Sequence, residues 1–283
     1  MPAARLLTAV ATCAITASAT AAIDDLTTWD FYYDNDPGPG ALQDATTGSA
    51  APNLAQLNFI DDVDVPAAYD IGYSSINANT VGEATSGYYF DASQDFTIRT
   101  HFSLNLTNPT GFVGIGMGIG EDLKGVNSAG IGFGVGTGPL SLALYGAAGT
   151  NNDAPITSTF ALTETLDNEY FGSLTVSYDA ATGDVTVGAA QFLGAPDPLA
   201  PTETFTFDGT TDLGAWAGDD LLVSFFLRSD DPGFYSNWTG TSAEADFFDF
   251  TIVQGQATQV PEPTSLALLA LGGLGLMRRR RSA

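Results

Sequence analysis

Basic side chains are almost missing from this chain of 283 residues, which sets one lysine, Lys124, seven arginines and one histidine against 33 acidic residues, for a formal net charge of -25. Nucleic-acid binding needs a basic stripe to displace counterions from phosphates, so DNA and RNA are excluded as partners. Cysteine is equally scarce, because Cys13 is the only one. Zinc sites built from clustered His and Cys are therefore excluded, as is a thiol nucleophile served by its own base. Charged residues make up 14% of the chain. An average soluble domain has about 25%, so this surface must be built largely from Ser, Thr, Asn, Gly and Asp. Aromatic residues, in contrast, are plentiful: 18 Phe, 10 Tyr and 3 Trp supply apolar area for a core and argue against disorder.

Both termini read as processing segments. Residues 1–22 carry Arg5, an apolar run from Leu6 to Ala17 and then small residues up to Ala22, the pattern of a secretory signal peptide cleaved after Ala21 or Ala22. Cys13 lies inside this segment, so the mature chain is expected to have neither disulfides nor thiol chemistry. At the other end, Pro261, Glu262 and Pro263 precede an apolar run from Leu266 to Met277 and the consecutive Arg278, Arg279, Arg280 and Arg281. The 13 residues from Ser265 to Met277 give a helix of about 20 Å, short of the ~30 Å hydrocarbon core. The arginine cluster is expected to stay cytoplasmic and to leave the body across the membrane.

Residues 261–283, with their Pro-Glu-Pro element, apolar run and terminal arginines, resemble a PEP-CTERM sorting signal. The resemblance implies export, transient anchoring in the inner membrane through the C-terminal tail, and removal of that tail by an exosortase-type enzyme that recognises Pro-Glu-Pro. It further implies display at the cell surface or release, in a setting of extracellular polysaccharide and biofilm.

The body, residues 23–260, holds 32 acidic residues against only Arg99, Lys124 and Arg228, which keeps it soluble and repels anionic surfaces. Alternation is clearest at Phe96 to Leu106, where Phe96, Ile98, Phe102, Leu104 and Leu106 alternate with Thr97, Arg99, His101, Ser103 and Asn105. Val113 to Ile119 and Ile131 to Val135 pair an apolar face with a face of glycines, expected to be bare backbone. Further strands are predicted at Leu140 to Tyr145, Leu174 to Tyr178, Val185 to Val187, Phe205 to Phe207, Leu221 to Leu227 and Phe247 to Val253, with turns at Asp179 to Asp184 and Gly194 to Pro201. Around ten short strands, and no amphipathic helix of about 12 residues or more, predict an all-β fold with a single β-sandwich. For Leu54 to Phe59 and Ala161 to Asn168 the pattern leaves short helix and loop both open. Ser93 to Leu106, Leu174 to Val187 and Ala245 to Ile252 resemble strands of a concanavalin A-like, or laminin G-like, jelly roll.

The candidate chemistry is sparse. A hydrolytic triad needs a base, and the lone His101 is placed on the polar face of a strand beside Arg99. No phosphate-binding loop occurs. Glu244, Asp246 and Asp249 form a Glu-x-Asp-x-x-Asp pattern similar to the paired carboxylates of glycosidases on concanavalin-like folds. Against that role stand the Asp where such enzymes have a final Glu, the position near the end of the body, and Phe247, Phe248 and Phe250, which read as core. Asp34 and Asp36, or Asp61, Asp62 and Asp64, offer oxygen ligands for Ca²⁺, with solvated acidic loops that bind no metal as the alternative in so acidic a chain. Tyr235, Asn237 and Trp238 form the candidate carbohydrate-binding residues, a ring face and an amide suited to the apolar face and hydroxyls of a sugar. Trp29 and Trp216 fit either core or surface. The sequence thus predicts an exported, non-catalytic surface or matrix protein that binds extracellular polysaccharide, with a purely structural biofilm component and a glycoside hydrolase or lyase as alternatives.

Overall fold

A computed structural model describes residues 23–34, 46–59, 69–107, 112–123, 127–136, 142–149, 156–161, 169–191, 201, 203–208, 216, 218–229 and 242–261. Its strands are β1 (Asp30–Asp34), β2 (Thr46–Ala51), β3 (Leu54–Phe59), β4 (Tyr69–Ser74), β5 (Tyr88–Asp91), β6 (Phe96–Thr107), β7 (Phe112–Gly120) and β8 (Ser128–Gly136). They continue as β9 (Leu142–Gly149), β10 (Ile156–Ala161), β11 (Glu169–Tyr178), β12 (Val185–Gln191), β13 (Glu203–Phe207), β14 (Asp220–Ser229), β15 (Ser242–Gln254) and β16 (Thr258–Gln259). Two single-turn 3₁₀ helices, Leu26–Thr28 and Val81–Glu83, are the only helices among the described residues.

The strands form two antiparallel sheets. One follows the order β1-β4-β14-β7-β8-β9-β10, with β5 and β16 attached beside β14, and the other follows β13-β12-β11-β6-β15-β3-β2. The chain crosses repeatedly between them, and early strands lie beside late ones in both, β4 beside β14 and β3 beside β15. This is a jelly-roll path. Leu54–Phe59, left open by its pattern, is a strand, because β15 on one side and β2 on the other satisfy its backbone. The predicted turn after β11 is also present, with Asp179 Oδ1 accepting from the amides of Ala181 at 2.8 Å and Thr182 at 3.2 Å.

Alternation sends one face of each sheet inward. Ile98, Phe102, Leu104, Leu174, Val176, Val187, Ala245 and Phe247 from one sheet meet Ile71, Ile115, Met117, Ile131, Phe133, Val223 and Phe225 from the other in one buried cluster. At its centre Phe225 lies between Trp29, at 4.6 Å between ring centroids, and Phe247, at 4.8 Å. Trp29 donates its ring N–H to the Ile23 carbonyl at 2.8 Å, and Trp216 donates to the Asn127 carbonyl. Both tryptophans are core residues, so neither offers a ring to a ligand.

At one end of the nine-stranded sheet several carboxylates crowd together. Glu121 accepts from the Asn127 side chain at 2.9 Å. Burial raises its pKa above the ordinary carboxylate value, and the charge and hydrogen bond of Asp219 add to that rise against the lowering bond from Asn127. Burial also raises Asp220, with help from the charges of Asp91 and Asp219, whereas hydrogen bonds from Ser93 lower Asp91. Glu121 and Asp220 thus bind protons more tightly in the folded chain than in the unfolded one. Their contribution to stability is fully present below the unfolded carboxylate pKa, about 4, and is lost as pH rises through the raised folded values. Asp91 contributes with the opposite sign, and its share is lost as pH falls through its lowered value. Relief of general acidic repulsion also favours the fold on acidification, so the wild-type trend by itself does not isolate Glu121. The Glu121→Gln variant does: denaturant unfolding from pH 7 to 4 should show a smaller gain in stability than wild type, and an identical pH slope over that whole range would remove Glu121 as a contributor.

Candidate functional site

β15 sits between β6 and β3 in the middle of the seven-stranded sheet. Its inward residues Ala243, Ala245 and Phe247 are fully buried, which turns Glu244, Asp246 and Phe248 to the outer face. Strand register lines them up with outward residues of the neighbours. Asn58, Glu244 and Asn105 form one row, Gln56, Asp246 and Ser103 the next, and Phe248, His101 and Ser173 the third. The second row is hydrogen-bonded across three strands, with Gln56 Nε2 donating to Asp246 Oδ1 at 2.9 Å and Ser103 Oγ donating to Oδ2 at 3.2 Å.

After Phe248 the register slips, and Asp249 takes φ 52 at this β-bulge. The slip brings Asp249 Oδ2 to 3.6 Å from His101 Nδ1. On the other side of the imidazole, Arg99 Nη2 lies 3.2 Å from Nε2. A guanidinium can only donate, so Nε2 accepts and the ring proton sits on Nδ1, toward Asp249. That arrangement fits a positioned surface histidine better than a general base. The His101 and Phe248 rings lie 5.4 Å apart, so an aromatic surface adjoins the Asp246 row. Phe248 is therefore not core as its sequence suggests: the alternation that buries Phe247 exposes its neighbour, and only Phe247 and Phe250 are buried. The position of β15 late in the chain likewise does not make it peripheral.

Other expected site residues are not brought together here. Tyr235, Asn237 and Trp238 lie outside the described residues, as do Asp36, Asp61, Asp62, Asp64, Glu262, Pro263 and Arg278 to Arg281. Asp34 ends β1, where its backbone pairs with Asp70. Pro261 is exposed at the end of the described chain. Among the described residues no group of three or more His, Cys, Asp and Glu side chains could hold a metal ion. No helix there is long and apolar enough to cross a membrane, and the expected C-terminal apolar helix falls outside them.

The strand ends do supply one relation. Asp34, Tyr69 and Ser229 end their strands at one edge of the nine-stranded sheet, and Thr46, Phe59, Thr107 and Ser242 do so in the seven-stranded sheet. Phe90, paired near the opposite end of β14, packs on Phe96 at the opposite end of β6, 4.9 Å away. The strand ends flanking residues 35–45, 60–68 and 230–241 therefore share one end of the sandwich, the end toward which Glu244 and Asn105 lie.

Among solved structures, the chain is similar to a glycoside hydrolase family 16 endo-glucanase from Bacteroides ovatus, with 11% identity and a TM-score of 0.44 over 81% of this chain and 98% of that one. An alginate lyase from Klebsiella pneumoniae matches with 13% identity and a TM-score of 0.43 over 83% and 99%. Lectin II from Ulex europaeus matches with 11% identity and a TM-score of 0.40 over 78% and 92%. None of these likenesses identifies a site or an activity in this chain. A search of curated proteins found no significant match. Residues 259–281 match the PEP-CTERM protein-sorting motif, which implies processing by an exosortase-type enzyme. The chain is an exported β-sandwich protein that carries a PEP-CTERM sorting motif at its C-terminus.

Proposed function

We propose that this protein is a non-catalytic component of the cell surface or extracellular matrix that binds polysaccharide across the outer face of its seven-stranded sheet. The C-terminal tail holds it transiently in the inner membrane before surface display or release. The observation that carries the binding reading is the Gln56, Asp246 and Ser103 row beside Phe248, which sets amide, carboxylate and hydroxyl groups next to an aromatic ring. Sugars need both, hydrogen-bonding partners for their hydroxyls and an apolar face for their C–H surface. Tyr235, Asn237 and Trp238 are proposed as further sugar contacts, and Asp34 and Asp36, or Asp61, Asp62 and Asp64, as oxygen ligands for Ca²⁺.

Retention on affinity gels of neutral polysaccharide, with and without Ca²⁺, tests the reading. Phe248→Ala and Trp238→Ala should each weaken retention severalfold, and removal of Ca²⁺ should weaken it in wild type. Unchanged retention in a folded variant takes that residue out of the site. A wild-type protein blank on a glycan array at high concentration would leave a purely structural coat component.

A hydrolase reading has one observation in its favour: Glu244 and Asp246 share the outer face of a central strand, and the bulge brings Asp249 to His101 on that face. Residues two apart on a strand are about 7 Å apart at Cα, a spacing from which two carboxylates can flank a glycosidic bond. Reducing ends released from the same polysaccharides by wild type, and not by Glu244→Gln, would replace the binding reading with this one.

A further inference from the structure

The outer face of the nine-stranded sheet carries a different arrangement. Register aligns Tyr32, Gly72, Phe226, Gly116, Gly132 and Tyr145 in one row across six adjacent strands. A methyl group added at Gly72 would lie 2.5 Å from Cζ and Oη of Tyr32, and one at Gly116 would lie 2.3 Å from Cζ of Phe226. The Tyr32 and Phe226 rings thus reach over the backbone of a neighbouring strand, in space that only glycine leaves open. Both residues remain half-buried, covered by the sheet on one side and accessible on the other. The glycine face is therefore not the bare backbone that its alternation suggests. In the adjacent row Asp30, Ser74, Ser224 and Gly118 follow one another, and Ser224 is half-buried with its Oγ 3.5 Å from where a Gly118 Cβ would be. An exposed carboxylate at Asp30 and a hydroxyl at Ser224 flank the two rings.

We propose that this row is a second glycan-binding face, for an uncharged polysaccharide chain, on the side of the sandwich opposite the Asp246 face. Tyr32 and Phe226 stand two strands apart, about 10 Å at the usual strand spacing, roughly the length of a disaccharide unit in an extended chain. Ring faces stack on the C–H faces of sugars, and the flanking carboxylate and hydroxyl take hydroxyl hydrogen bonds. Charge selects the occupant: a chain of net charge -25 repels acidic polymers and other copies of itself, and a neutral chain carries no such penalty. Two faces on opposite sides of one sandwich let a single molecule bridge two polysaccharide chains, a matrix function that a one-sided binder lacks.

The test uses the processed body, residues 23–260, with microcrystalline cellulose and a soluble neutral β-glucan as probes and alginate as the acidic control. The double variant Tyr32→Leu/Phe226→Leu keeps apolar cover on the glycines while removing the rings. It should bind cellulose about tenfold more weakly than wild type and fail to cross-link the soluble glucan, as read by turbidity, with its melting temperature close to wild type. Phe248→Ala tests the other face and should also abolish cross-linking. Wild-type binding and turbidity in the folded double variant would overturn the second face and leave the Asp246 face standing. Loss of binding only in the Phe248 variant would do the same. A wild-type dimer in sedimentation that the double variant abolishes would assign the row to a second copy of the chain and overturn the proposal. Equal retention on alginate would overturn its charge selection, and no wild-type binding to either neutral probe would sink both glycan readings.

Discussion

Phe225→Ala should lower the stability of the sandwich by about 3 to 5 kcal/mol, the range for truncating a fully enclosed aromatic side chain. Phe225 is fully buried, and its ring stacks on Phe247 with an interplanar angle of 5° and on Trp29 with 12°. Phe250 meets it edge-on at 5.7 Å. Trp29 precedes β1, Phe225 belongs to one sheet, and Phe247 and Phe250 belong to the other, so the side chain joins both layers and the N-terminal segment. Neighbours held by two sheets cannot collapse into the space it leaves, which places the cost toward the upper part of the range. For a body of this size, such a loss lowers the thermal midpoint by roughly 10 °C. Calorimetry checks it, and a shift below a few degrees would mean that the stack contributes little beyond its area.

Gly72→Ala should cost about 1 to 3 kcal/mol, the usual penalty for overpacking, although the side chain would point to the outer face. Its Cβ would lie 2.2 Å from the backbone carbonyl oxygen of Phe225 and 2.5 Å from the Tyr32 ring. The ring can move, but the carbonyl belongs to a paired strand and cannot move without disturbing the ladder. Gly118→Ala is the control on the same face. There the nearest atoms are Ser224 Oγ at 3.5 Å and the Ala129 carbonyl oxygen at 3.8 Å, ordinary contacts. Replacing a strand glycine without a clash removes an entropic cost of about 0.5 to 1 kcal/mol, so Gly118→Ala should be neutral or slightly stabilising. Equal denaturant midpoints for the two variants would contradict this reading of the glycine face.

Much of the fold was legible from side-chain alternation. β6 is the clearest case, because its apolar and polar residues alternate from Phe96 to Leu106 and the burial pattern follows them. The short β2, with its Thr-Thr-Gly-Ser-Ala-Ala sequence, has no such alternation, and it forms because β3 offers it an edge. β3 itself could not be told from a helix, since what selects the strand is pairing with β15, almost 200 positions later in the chain. Long-range partners leave no periodic trace in a local window.

The candidate sites divided in the same way. Glu244, Asp246, Asp249, Arg99 and His101 stood out by residue type. Gln56 and Ser103 did not, because an amide and a hydroxyl on separate strands become significant only when register sets them on either side of Asp246. Tyr32 and Phe226 gave no signal either, as each adjoins a residue of similar size that is turned inward.

By itself the sequence determined the destination and the class: a C-terminal sorting motif that marks export, and a cysteine-free, acidic body whose alternation can satisfy its backbone only in sheets. Those properties reside in composition and in residues a few positions apart. Tertiary structure decided which residues share a face. A one-residue change of register or a single bulge reverses the side on which a strand residue stands, and only pairing across the sheet set Phe248 beside His101 and laid Phe226 over Gly116.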